Sequence, residues 1–306
     1  MSAAGLVPKV ALHAGGTAYS QLVQGYWRLA DWGMSPRQRL DFIERHLALG
    51  ISSVDYADIY GDYRCETLFG EALRLQSALR EQLQIISKCG IKLVSAQFPQ
   101  RRVKQYDSSA AHVIAAVEHS LRALGTDRLD LLLLHRPDPL LDADETARAV
   151  SELHAAGKVL AFGVSNHSPA QFDLLQSRLD LPLATNQVEI NPLHAAALFD
   201  GSLDHLQRLG RRAMAWSPLA GGRVFSGADA DALRLREVVQ RIAQANGVDI
   251  DTLLYAWLLR LPGAPLVVLG TGRIERVHAA VAALDVQMDR ETWFEILEAG
   301  RGHEVA

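Results

Sequence analysis

A carboxylate and a phenol stand close together in Gly50-Ile-Ser-Ser-Val-Asp55-Tyr-Ala-Asp-Ile-Tyr60-Gly61, directly after a short β-branched apolar run. That run, Ile51–Val54, is expected to be a buried strand, with Asp55 at its end and Tyr60 in the loop beyond, just before a turn glycine. A phenol has an ordinary pKa of about 10, so it is a proton donor at neutral pH. A cation beside it would lower that value and help it donate to a developing alkoxide. Taken alone, the same residues also fit a helix cap and a loop-packing tyrosine. The positions of the other polar residues separate the two readings.

Strand after strand is expected to end in such a residue. Leu83–Lys88 ends in Lys88, and Leu129–His135 carries His135 after four leucines. Val159–Asn166 ends in Ser165-Asn166, Ala184–Glu189 carries Asn186-Gln187, Ala213–Ser217 ends in Trp216-Ser217, and Leu266–Gly270 leads into Thr271. Each has a bland account: Lys88 reaching for solvent, His135 as a core histidine, Asn166 and Gln187 as turn formers, Trp216 as core. Jointly they specify a site. Asp55 pairs with Lys88, the ammonium favours the phenolate side of the Tyr60 titration, Tyr60 protonates a carbonyl oxygen, and His135 orients that oxygen. The set holds no nucleophile, and no His/Cys/Asp cluster has metal-ligand spacing, so no metal is expected. Asn166 and Gln187 can bond a carboxamide and Trp216 can stack on an aromatic ring, which are the needs of a nicotinamide held to pass hydride.

The elements that must position these residues alternate regularly. Counting Val23–Trp27 as the first, eight strands are each followed by a helix, beginning with one that starts at Ser35-Pro36 and carries Leu40, Ile43 and Leu47 on one face. Apolar strands without alternation are buried on both faces, as in a parallel sheet. The expected fold is α/β: one (β/α)8 TIM barrel domain over residues 1–306. A β-hairpin, Lys9–His13 with Tyr19–Val23, plugs one end; extra helices come late (Ala232–Ala245, Ile250–Leu259), and Glu291–Ala299 closes the chain. A doubly wound sheet is the alternative, weakened by the lack of a G-x-G-x-x-G after an early strand.

Bulk properties narrow the function. The chain has 306 residues, 49% of them hydrophobic, and a net charge of −4, which gives no electrostatic reason to expect nucleic acid or an anionic membrane as partner. Two cysteines, Cys65 and Cys89, make no disulfide framework. Met1–Leu6 lacks the charged and apolar regions of a leader, and no apolar run reaches the roughly 18 residues of a membrane helix. The expectation is a soluble cytoplasmic protein, monomeric or weakly oligomeric, acting on a small molecule.

Along essentially its whole length the chain resembles the aldo-keto reductase superfamily. The resemblance implies that Asp55, Tyr60, Lys88 and His135 form that family's tetrad, in Val-Asp55-Tyr-Ala-Asp-Ile-Tyr60-Gly, Ile-Ile-Ser-Lys88 and Leu-Leu-Leu-His135-Arg-Pro-Asp. Gly163-Val-Ser165-Asn166 and Asn186-Gln187 match the carboxamide-binding segments, and Trp216-Ser217-Pro218-Leu219-Ala220-Gly221-Gly222 the stacking aromatic and the loop covering a pyrophosphate. Gly25-Tyr26-Trp27-Arg28 and Ser87-Lys88-Cys89-Gly90 are similar to the bacterial YdhF-type members. The implied activity is reduction of an aldehyde or ketone with NADPH, NADH being the alternative cofactor. Gly270-Thr271-Gly272-Arg273 opens a helix whose free N–H groups could receive a phosphate, with Arg273 and Arg276 adding charge for a 2′-phosphate. Tyr26 and Trp27 are expected to be among the cofactor-binding residues and, with Tyr56, to wall an aromatic substrate pocket near the first loops, Trp27 as core being the alternative. The chain departs from the family pattern at Tyr56, often threonine; at Arg136, often tryptophan; at Gly270, often lysine; and at Ala279-Ala280, often Glu/Asn. Cys89 is expected to be buried and structural, and the basic loop Phe98–Tyr106 to be solvated. A nucleotide-sensing subunit and a barrel aldolase with Lys88 as Schiff-base former are the competing functions.

Overall fold

The computed structural model describes residues 6–306. Met1–Gly5, on which the expectation of no leader largely rests, lie outside the described residues. The strands are β1 (Lys9–Ala11), β2 (Ala18–Ser20), β3 (Leu22–Gly25), β4 (Ser53–Asp55), β5 (Gln84–Cys89), β6 (Ile91–Lys92), β7 (Gln105–Tyr106), β8 (Leu131–Leu134), β9 (Phe162–Ser165), β10 (Leu183–Glu189), β11 (Met214–Trp216) and β12 (Leu266–Leu269). Eight of them close a parallel barrel in the order β10-β11-β12-β3-β4-β5-β8-β9. This is the expected (β/α)8 architecture, with helices outside the barrel.

Side chains on a strand alternate between faces, and here both faces are dry. Ile86, Leu131 and Leu133 join Val23, Met214 and Leu266 in the lumen, while Ile85, Leu132 and Leu134 pack against the helices. That is why the strands carry no polar alternation. Each such side chain stabilises the fold by about 1.5–3 kcal/mol relative to exposure. The β1–β2 hairpin pairs antiparallel and sends Leu12 and Tyr19 into the bottom of the lumen, where the Tyr19 hydroxyl donates to the Asp130 carbonyl at 2.9 Å. It is the plug the sequence predicts.

The helices start where their caps place them. Ser35 and Gln38 form a reciprocal capping box on the helix Pro36–Ala48, with Pro36 in the first turn, and Ser168 and Gln171 do the same for Pro169–Gln176. A cap of this kind contributes about 1 kcal/mol. The late helix Ile250–Leu259 is buried almost all round, and its Trp257 stacks on Trp293 of the last helix, Arg290–Arg301, with centroids 5.0 Å apart. Each indole donates to the other residue's carbonyl at 3.0 Å, which fastens the chain's end to the barrel. No described helix is long and apolar enough to cross a membrane.

Two expectations change. The first barrel strand is Leu22–Gly25, not Val23–Trp27: Gly25 pairs with Asp55, and the chain then turns into the short 3-10 helix Leu29–Asp31, leaving Trp27 54% exposed. The basic loop is not simply solvated. β7 at its end pairs with β6 ahead of it, Lys92 bridges Asp107 at 2.9 Å, and the Tyr63 hydroxyl accepts from Leu93 N (2.9 Å) and Arg101 Nη1 (2.6 Å). The loop is a tethered flap, whose paired segments are too short to show as strands in the sequence.

Candidate active site

Asp55 and Lys88 meet because β4 and β5 are neighbours in register: Asp55 pairs with Ile86, and Lys88, two residues on, faces the same way. Lys88 Nζ donates to Asp55 Oδ2 at 2.6 Å, to the Tyr56 carbonyl at 2.7 Å and to the Tyr60 hydroxyl at 3.2 Å. All three ammonium protons are therefore used. The other Asp55 oxygen accepts from Gln187 Nε2 at 2.8 Å, across the barrel. Tyr60 stands edge-on to His135, ring centroids 5.7 Å apart. After β4, Asp58 N donates to the Lys88 carbonyl at 3.0 Å, and the turn ends in Gly61, Asp62 and Tyr63, with φ of 59°, 56° and 64°. A glycine adopts that conformation freely; the two residues after it do so at a cost of order 1–3 kcal/mol each.

Burial pushes the Tyr60 phenol above its ordinary pKa, Lys88 pulls it part of the way back, and Asp55 pushes it up again. The sequence predicts the Lys88 effect but not the burial that outweighs it, so the net direction is opposite to the expected one. For Lys88, burial pulls the ammonium down, and Asp55 and Tyr60 more than restore it, leaving its pKa raised. Burial, then Lys88, Arg136 and Lys104, hold His135 well below the ordinary range, so it is neutral at pH 7. Its buried Nδ1 has no partner among the described residues. The assembly is a protonated phenol backed by an ammonium, beside a neutral imidazole. Such a set can give a proton to an oxygen bound between the two rings. It cannot serve as a Schiff-base site, since Lys88 is charged and has no free lone pair.

Tyr60, His135, Asn166, Gln187 and Trp216 border one cavity of about 560 Å³. Asn166, itself at φ 59°, donates to Ser165 Oγ at 2.8 Å and accepts from Trp216 Nε1 at 3.1 Å, fixing the indole plane. The cavity continues past Ser217, Pro218, Leu219, Gly221 and Gly222 to Gly270, Thr271 and Arg276. A side chain at Gly222 or Gly270 would meet no atom within 4 Å, so these glycines leave the wall open. The helix Ile274–Ala282 begins without a side-chain cap, leaving its first N–H groups for another acceptor, and the Arg276 guanidinium lies over the Phe225 ring at 5.6 Å with no carboxylate partner among the described residues. A flat indole and a carboxamide at the inner end, with a helix start and a guanidinium at the outer end, fit a dinucleotide.

Residues 21–301 match the aldo/keto reductase family. The chain belongs to that family. It is 51% identical to the oxidoreductase YdhF of Escherichia coli (strain K12) over 98% of this chain and 100% of that protein. It is 46% identical to the 6-dehydroglucose reductase of Agrobacterium fabrum, covering 94% of this chain and 96% of that one. The crystal structure of the thermostable aldo-keto reductase Tm1743 superposes with a TM-score of 0.77 at 24% identity, over 95% of this chain and 99% of that chain, and shows the fold alone. Members are oxidoreductases that reduce small-molecule carbonyl compounds with nicotinamide cofactors, and that coarse function holds here.

Most of the site residues named from the sequence lie together, with exceptions that have physical reasons. Tyr26 does not reach the cavity: it is buried, stacks on Tyr56 with centroids 5.0 Å apart, and its hydroxyl meets His46 Nε2 at 2.9 Å. Tyr56 is buried with it, so of the expected aromatic wall only Trp27 lines the opening. Gly272 lies against the Trp32 ring and Arg273 is exposed at the helix start, neither of them on the cavity wall. The Gln187 amide nitrogen is committed to Asp55, which leaves its oxygen for a ligand. Cys89 is buried and its thiol pKa is pushed well up by burial, which makes it inert, as expected. Sequence reasoning missed Asp62 on the wall, saw Arg136 only as a departure from the family and placed Lys104 in a solvated basic loop; for Asp62 and Arg136, a charge next to the Tyr60 and His135 motifs was the available signal.

Proposed function

We propose that this chain, working as one barrel domain over residues 1–306, reduces an aldehyde or ketone to an alcohol with NADPH, Tyr60 being the general acid. The observation that carries this reading is the 3.2 Å contact between Lys88 Nζ and the Tyr60 hydroxyl, made at the edge of the cavity. Trp216, Asn166, Ser165 and the Gln187 oxygen would hold the nicotinamide; Ser217–Leu219, Gly221 and Gly222 would flank the pyrophosphate; Gly270, Thr271 and Arg276 would receive the adenosine end. A reduced nicotinamide bound there supplies the hydride. The carbonyl carbon gains the hydride and its two electrons, and the carbonyl oxygen gains the Tyr60 proton. Neutral His135 donates a hydrogen bond to that oxygen and orients it between the rings. Lys88 holds the phenolate left behind until solvent returns its proton, and Asp55, anchored by Gln187, keeps the ammonium in place. An assembled tetrad supports turnover over nucleotide sensing alone.

The test is NADPH oxidation with 4-nitrobenzaldehyde, 9,10-phenanthrenequinone and methylglyoxal; the name of the Agrobacterium relative adds 6-dehydroglucose to the panel. For the cofactor, Arg276→Ala is expected to weaken NADPH binding by about tenfold, one charge-assisted hydrogen bond, and NADH binding far less. Equal losses would contradict the 2′-phosphate assignment.

A further inference from the structure

The residues that follow Tyr60 hold a conformation the chain does not take freely. Gly61, Asp62 and Tyr63 are all left-handed, with φ of 59°, 56° and 64°. That region is uncommon for any residue but glycine, and a residue as bulky as tyrosine stays there only when its surroundings fix it. Here the flap fixes it. The Tyr63 hydroxyl accepts from Leu93 N at 2.9 Å and from Arg101 Nη1 at 2.6 Å, and its ring meets Phe98 edge-on with centroids 4.8 Å apart. The Arg101 guanidinium lies over Phe98 at 3.7 Å and over Tyr63 at 5.7 Å. Gln97 Nε2 donates to the Asp62 carbonyl at 2.5 Å. These contacts converge on the second and third residues after the proposed acid.

The turn is also tied to the acid itself. Arg64 N donates to the Tyr60 carbonyl at 3.1 Å, and Tyr63 N donates to the Ile59 carbonyl at 3.3 Å. Of the three Lys88 contacts, the one to the Tyr60 hydroxyl is the longest, 3.2 Å against 2.6 and 2.7 Å. A small rotation of the turn loses that contact first. Neither Tyr63 nor Arg101 borders the cavity, whereas Tyr60, Gly61 and Asp62 on the turn and Leu93 and Lys104 on the flap do.

We infer that Tyr63 and Arg101 are positioning residues: their clasp between turn and flap holds the left-handed turn and so aims the Tyr60 hydroxyl at Lys88 and the bound carbonyl. The inference rests on the reductase reading above and adds two residues that lie off the cavity wall. A cluster that only kept the flap folded over the substrate would affect substrate binding and leave the chemical step alone.

The test is the single-turnover rate of NADPH-loaded protein at saturating 4-nitrobenzaldehyde, with the half-saturating aldehyde concentration measured beside it. Tyr63→Phe keeps the ring and removes the shared acceptor; Arg101→Met removes the donor. Each is expected to slow the saturated rate by at least about tenfold with little change in half-saturation, because a misplacement of about 1 Å can cost 100-fold. The double variant should be no slower than the slower single one, since both changes break one clasp. Arg102→Met, exposed on the same flap, should match the wild type. Wild-type saturated rates in the clasp variants, a loss confined to half-saturation, additive losses in the double variant or equal slowing by Arg102→Met would each overturn the inference. Tyr60→Phe separates the two claims. If it is slow while the clasp variants are not, only the clasp falls; if it is as fast as the wild type, the acid assignment falls and the clasp with it. If no aldehyde is reduced, crystal structures of the wild type and Tyr63→Phe decide. A Tyr60 hydroxyl out of hydrogen-bond reach of Lys88 Nζ in the variant alone supports the clasp, and the same contact in both overturns it.

Discussion

Two buried ion pairs sit at opposite ends of the barrel, and they are used differently. Near the starts of β5 and β8, Arg80 Nη2 meets Asp130 Oδ2 at 2.9 Å, and Arg80 also donates to Thr126 Oγ1 at 2.6 Å and to the Leu83 and Arg128 carbonyls at 2.9 Å each. Asp130 accepts in addition from Ile85 N at 2.8 Å. Near the strand ends, Lys88 meets Asp55 at 2.6 Å, and its remaining donors reach one carbonyl and one phenol. A guanidinium keeps its proton under all ordinary conditions, and one whose partners are two carbonyls, a hydroxyl and a carboxylate ties chain segments together. An ammonium that touches a phenol at a cavity edge can favour one protonation state of that phenol. The same pairing of charges gives architecture at one end and chemistry at the other, and the third partner makes the difference.

Lys88→Met should break this comparison most severely. It removes the cation from Tyr60 and leaves the Asp55 carboxylate buried without its partner. The expected outcome is a fall in kcat of about 10³-fold together with a loss of stability of about 3–5 kcal/mol. Urea denaturation and steady-state kinetics on one preparation measure both; a stable variant with wild-type kcat would remove the ammonium from the account. Arg80→Met should match the stability loss, about 3–5 kcal/mol, and change kcat little. A collapse of kcat in a folded Arg80→Met protein would mean that the two ends are coupled.

The chemical end also carries a buried acid, Glu66, which accepts from Ser87 Oγ at 2.6 Å, next to Lys88 in sequence. Burial raises its pKa from 4.5 to about 7, against the pull of Ser87, Ser120 and Lys88. A carboxyl with a raised folded pKa contributes stability that is complete below its unfolded pKa and is lost as pH rises through the folded one. The wild type should therefore lose up to about 3 kcal/mol from this group between pH 4.5 and 7. Glu66→Gln, which cannot ionise, should flatten that part of the stability curve in urea titrations at pH 5 and pH 8; an unchanged slope would refute the assignment. A smaller effect distinguishes the phenol itself. With the Tyr60 pKa raised and His135 neutral, the reduction rate should show no inflection between pH 6 and 9, and the acid limb should fall only above about pH 10.

The barrel was legible because its strands are apolar on both faces and its first helix carries a local start signal, Ser35-Pro36. Asp55, Lys88 and His135 were legible because a polar residue at the end of such a strand has few other places to go. What the sequence hides is the direction of a side chain once the chain leaves a strand. Tyr26 and Trp27 are adjacent, yet one is buried in the core and the other stands at the cavity mouth. Contacts between distant segments are equally hidden: Gln187 on Asp55, Arg80 on Asp130, and the flap that carries Lys104. The net shift of Tyr60 was out of reach for the same reason, since burial is a property of the assembled site.

The most direct test is a single-turnover measurement with Tyr60→Phe. Protein preloaded with NADPH is mixed with excess aldehyde, and the decay of the reduced nicotinamide is followed beside an independent titration of NADPH affinity. The account predicts decay about 10³-fold slower than in the wild type, with NADPH affinity nearly unchanged. Decay as fast as in the wild type would show that the proton comes from another group.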